Sequence, residues 1–169
     1  MLLHLIRPVR FLAKVFTAAA TPRQLALGFA LGMLIGLVPK GNLIAATLMV
    51  VLLGTRVNLG TGLTGAVLFS WVGMLADPLT HRIGAALLTQ ASLEPMWAWL
   101  YQLPLAPWTA FNNTVVLGSL LFGLWLFYPI FRITELAARR CQPWAVEKLG
   151  KYRIIELLWG TEITASWRV

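Results

Sequence analysis

LALGFALGMLIGLVPKGNLIAATLMVVLLG, residues 25–54, is the stretch on which the architecture turns. No charge interrupts Leu25 to Val38. At about 1.5 Å per residue, however, that run makes a helix of only about 21 Å, short of the roughly 30 Å of hydrocarbon in a bilayer. Pro39-Lys40-Gly41 breaks the helical pattern, and Asn42 to Gly54 gives a second apolar helix that is again too short to span comfortably. Two readings are open. Either the pair is a hairpin that enters a membrane and turns back inside it, or it crosses twice where the bilayer is locally thinned. Just upstream, Thr21-Pro22-Arg23-Gln24 reads as a helix start. Thr21 is the N-cap, Pro22 takes the first helical position and Gln24 completes a capping box.

Composition places the rest of the chain in the same environment. Of 169 residues, 59% are hydrophobic and 12% charged, whereas a soluble domain carries about 25% charged residues. So few charges would leave large apolar patches in water. Fourteen Lys and Arg against six Asp and Glu give a net charge of +8. In a membrane protein such an excess belongs to cytoplasmic segments and lipid headgroups, so no nucleic-acid partner is expected. The single cysteine, Cys141, excludes an internal disulfide and a cysteine-based metal cage.

Residues 1–20 set Arg7, Arg10 and Lys14 at helical spacing opposite Leu5, Ile6, Val9, Leu12 and Phe16, a basic amphipathic helix suited to lie on an anionic leaflet. The membrane domain is 21–133, with the hairpin at 25–54 and a minimal span at 59–76. Asp77-Pro78 is expected to stop that span and start a new helix, Asp77 as cap and Pro78 at its first position. Residues 77–113 form a non-cytoplasmic aromatic region in which Trp97, Trp99 and Trp108 are interfacial anchors. A second span covers 114–133, with Asn113 as its cap, and 134–169 is a basic cytoplasmic helical tail. Because the basic residues lie before Leu25 and after Phe131, both termini are expected in the cytoplasm. The fold class is all-α: a polytopic membrane bundle with short or re-entrant glycine-rich helices.

Membrane helices associate through small residues that let backbones approach. Gly28, Gly32 and Gly36 form one such stripe, Gly62, Ala66 and Ser70 a second, and Ser119 with Gly123 a third. The run Pro22-Arg23-Gln24-Leu25-Ala26-Leu27-Gly28-Phe29-Ala30-Leu31-Gly32, then Gly36 and Pro39, Arg56-Val57-Asn58, Asp77-Pro78-Leu79 and Phe111-Asn112-Asn113-Thr114, resembles the small stand-alone branch of a bacterial membrane domain family of unknown function. The resemblance covers nearly the whole chain. It implies a multi-pass protein of the bacterial inner membrane whose gene neighbours encode large AsmA-like envelope proteins. It supplies no activity and gives Lys40 no role.

Few residues are suited to chemistry. Lys40, directly before the helix that Asn42 opens, would add a full charge to a positive helix end, a place for a phosphate or carboxylate; the plainer reading is a lysine reaching water from a turn. Asp77 and His81 stand four apart and would face one another on a helix, as acid–base chemistry requires; the plainer reading is a helix cap and a polar face. Arg56 and Arg82 suit lipid phosphates or a partner. With two histidines far apart and no acidic cluster, neither a metal nor a cofactor is expected.

The residues therefore predict a non-enzymatic subunit that contacts membrane phospholipids, with Lys40, Asn42, Arg56, Asp77 and Arg82 as lipid or partner contacts. Together with the resemblance, this points to a protein that anchors or receives a large AsmA-like envelope partner in phospholipid transport. Two alternatives stand beside it. One is an autonomous transporter or channel of oligomerised broken helices, the other a lipid-modifying enzyme using Asp77 and His81.

Overall fold

The computed structural model describes residues 20–150, with side chains as far as Gln142. The expected amphipathic helix carrying Arg7, Arg10 and Lys14, and the tail beyond Gly150, lie outside the described residues.

Among the described residues the chain is helical throughout: α1 (Pro22–Leu37), α2 (Leu43–Gly54), α3 (Leu59–Leu88), a 3-10 turn (Ala91–Leu93), α4 (Glu94–Tyr101), α5 (Ala106–Thr109) and α6 (Thr114–Gly150). Local chemistry fixes the starts. Thr21 and Gln24 form the reciprocal capping box. The Asn42, Asn58 and Asn113 side chains accept from the N–H groups of Ala45, Thr61 and Val115, each at 2.9 Å.

The core belongs to the shortest of the three principal helices. Leu25, Ala26, Ala30, Met33, Leu34, Ile35 and Leu37 of α1 are all buried, followed by Val38. One side of α1 meets α3: a Cβ on Gly28 would strike Asn58 and Thr61, one on Gly32 would strike Gly62 and Ala66, and one on Gly36 would strike Ala66 and Phe69. Positions rise together in both helices, so α1 and α3 run parallel and α2 is the return between them. The other side meets α6, running the opposite way. Gly123 lies against Leu34 and Leu37, Val116 packs with Val38, and Gln142 Nε2 donates to Ala20 O at 2.8 Å.

α1 ends where Leu37 reaches Gly73, about halfway along α3. Above that level α6 takes over the same face of α3. There Gly84 meets Thr114 and Gly118 meets Thr80, so closely that a Cβ on either glycine would overlap a backbone carbonyl. α1 is thus a wedge between two long helices that make their closest contact above its end.

Pro78 does not start a new helix. α3 passes through it without a break, correcting the expected boundary at 77–78. Proline removes the backbone donor that would reach Met74 O; the tight α6 crossing packs the segment just beyond it, and Thr80 Oγ1 donates to Asp77 O at 3.1 Å. α6 likewise continues through Pro129 and past Arg132, where the sequence turns from apolar to basic. Both α3 and α6 are long and apolar enough to cross a membrane. They leave large apolar side chains exposed, among them Trp71, Leu75, Trp125 and Tyr128.

Candidate functional site

The best-defined polar cluster lies at the tip of the α1–α2 hairpin. Gly41 takes φ +91°, a left-handed conformation natural only to glycine, and this tightens the turn. It lets Lys40 fold back. Its Nζ donates to Gly36 O at 3.1 Å, Val38 O at 2.9 Å and Ile35 O. The last carbonyls of a helix have no partner within it and form its negative end, so the ammonium caps α1 with all three of its N–H bonds. The sequence leaves Lys40 either facing the α2 N-terminus and an anionic ligand or reaching water from the turn; the structure points it backward onto α1, with no donor left over. Asn42 is equally committed, accepting from Ala45 N and donating from Nδ2 to Pro39 O at 2.7 Å.

Asp77 and His81 do not pair. His81 Nδ1 shares a hydrogen bond of 2.7 Å with Thr114 Oγ1 of α6, while Asp77 is exposed on α3. Arg82 beside them is also exposed. The imidazole joins two helices, and among the described residues no nucleophile converges on both it and the carboxylate.

The aromatic region lies beside the start of α2, where Ala110 packs against Val38 and Ala45. Trp97 Nε1 donates to Leu87 O at 3.2 Å, and its ring stacks on Phe111 with centroids 5.9 Å apart. Trp97 is therefore built into the structure, whereas Trp99 and Trp108 are exposed. Between this region and α2 lies an apolar groove of about 460 Å³ bordered by Ile44, Leu100, Leu103, Leu105 and Phe111.

The opposite end gathers cations. Gln24 Nε2 donates to Arg56 O at 3.2 Å and Gln142 reaches Ala20, so the start of α1, the α2–α3 turn and the lower part of α6 share one end. Arg23, Arg56, Arg139 and Arg140 belong to it, and Arg132 stands two turns of α6 further in. The acid among them is Glu135, only 4% exposed, which accepts from Arg132 Nη1 at 3.0 Å and Arg139 Nη2 at 2.7 Å. One carboxylate thus orders two guanidinium groups and leaves the trio with a net positive charge. Sequence reasoning passed over Glu135, although the spacing Arg132-x-x-Glu135-x-x-x-Arg139 is what places all three on one helical face. It also missed Gly84 and Gly118, which make the closest helix crossing.

The small-residue stripes divide by role. Gly28, Gly32, Gly36, Gly62 and Ala66 lie in the α1–α3 contact, whereas Ser70 donates its hydroxyl to Ala66 O at 2.7 Å, within its own helix.

No protein-family model matches the chain, and no solved structure matches it. The chain is similar to an uncharacterized protein of Treponema pallidum (strain Nichols), 27% identical over 154 residues that cover 91% of this chain and 95% of that protein.

Proposed function

We propose that this chain is a polytopic protein of the bacterial inner membrane in which α3 and α6 span the bilayer and α1–α2 is a re-entrant hairpin entering from the arginine-rich, cytoplasmic side. Its function is to anchor or receive a large AsmA-like envelope protein engaged in phospholipid transport. The observation that carries this reading is the distribution of polar groups. The ammonium, imidazole and amide nearest the middle of the molecule are held by backbone or by a neighbouring helix. The exposed arginines other than Arg82 lie toward one end, where the positive-inside rule and phosphate headgroups place them. The exposed aromatic region at the other end is then the surface offered to an envelope partner.

Purification from native membranes in mild detergent tests this. The expected result is co-purification with a large AsmA-like protein, lost when Trp99 and Trp108 are replaced by alanine. Recovery of this chain alone under every gentle extraction overturns the partner assignment.

A further inference from the structure

The uncharged stretches of α3 and α6 are matched in length but not in the level at which they lie. Contacts fix their relative register: His81 and Gly84 beside Thr114, Thr80 beside Gly118, Leu37 beside both Gly73 and Gly123, and Gln142 beside Ala20 at the level of the Gln24–Asn58 bond. On that scale α3 is uncharged from Leu59 to Ala76, with Asp77, His81 and Arg82 above it. α6 is uncharged from Thr114 to Phe131, with Arg132, Glu135, Arg139 and Arg140 below it. Arg132 therefore stands beside the middle of the α3 apolar stretch, and Asp77 beside the middle of that of α6. The depth at which both helices are free of charge is roughly ten residues, about 15 Å, or half the hydrocarbon thickness of about 30 Å. The hairpin tip, with Lys40 and Asn42, marks the upper limit of the same narrow layer.

A bilayer thicker than the apolar belt it surrounds thins locally, and charges held below its surface draw in water and headgroups. We propose that this protein narrows the hydrocarbon layer beside α3 and α6 and so passes phospholipid headgroups between the two leaflets without an energy source. The idea rests on the membrane reading above and gives its lipid-transport role a specific activity. Arg132 and Arg139 receive the lipid phosphate. Their side chains are 50% and 64% exposed, and the buried Glu135 holds both, Arg139 at the arginine-rich end and Arg132 further in, at a depth where an isolated arginine would be expelled.

The test uses the full-length protein in vesicles of dioleoyl phosphatidylcholine and phosphatidylglycerol carrying a fluorescent phosphatidylethanolamine, with dithionite added outside. Exchange between leaflets is expected to be at least about tenfold faster than in protein-free vesicles, a barrier lowered by about 1.4 kcal/mol. The triple variant R132L/E135L/R139L extends the apolar stretch of α6 and is expected to fall to the protein-free rate. A second readout needs no variant: as the acyl chains shorten from 18 to 14 carbons, the acceleration over empty vesicles should shrink, because the bilayer then already matches the belt. A wild-type rate equal to that of empty vesicles, a folded triple variant as fast as wild type, or acceleration independent of chain length overturns the proposal. Loss of exchange with the envelope partner still co-purifying removes this activity alone and leaves the anchoring function standing.

Discussion

Lys40 has three N–H bonds and three carbonyls to receive them. Replacing it with methionine leaves the end of the buried helix α1 without its cap. The expected outcome is a loss of about 1–3 kcal/mol, read as a lower unfolding midpoint in detergent, with binding to anionic vesicles unchanged. Gly118 and Gly54 make a second contrast. A side chain at Gly118 would overlap the Thr80 carbonyl, whereas nothing lies within 4 Å of a Cβ at Gly54. Gly118→Val should push α3 and α6 apart and cost at least about 1–3 kcal/mol. Gly54→Ala should leave stability unchanged or raise it by about 0.4–1 kcal/mol, checked in the same unfolding series. At this scale the sequence is only half legible. Asparagine and threonine caps act on N–H groups two or three residues away, so their partners follow from spacing. Lys40 is long enough to serve either neighbouring helix end, and the choice depends on the left-handed turn at Gly41. Glu135 was legible in principle, from its two arginines on one face.

At the scale of elements, helix length was the most reliable signal and the stop at Pro78 the least. The apolar run before Pro39 is too short to cross a membrane, and α1 does end halfway along α3. Proline marks a helix end in water because the lost hydrogen bond and the ring clash go uncompensated. Within α3 the Gly84–Gly118 crossing packs the segment just beyond the proline, and nothing in the residues around Asp77 announces a partner supplied more than thirty positions later. The re-entrant reading makes an accessibility prediction. In a Cys141→Ser background, a cysteine at Leu43 should resist a membrane-impermeant maleimide from both sides, and one at Thr55 should react from the cytoplasmic side alone. Labelling of Leu43→Cys from the periplasmic face would mean that the hairpin crosses the membrane.

For the whole molecule, the segregation of arginines gives an orientation that the native sequence already reports. Cys141 is exposed and lies at the arginine-rich end. It should react with the impermeant reagent in inverted membrane vesicles and stay protected in intact spheroplasts. The reverse pattern would invert the proposed topology. Charge balance and the glycine stripes were readable from composition and period, because each reflects an average over many residues. The stagger between the α3 and α6 apolar stretches was not, since it depends on how two helices distant in sequence slide past one another.

The wedge position of α1 has a consequence for biosynthesis. The helix that ends up innermost emerges from the ribosome before either of the two that enclose it, and it is too short to be retained as a transmembrane segment alone. Its α3 face can be covered once Leu88 has been made, but its α6 face must wait until the residues after Thr114 have followed. Nascent chains halted before that point should be prey to membrane proteases, and release of the finished chain should be the moment at which they gain resistance.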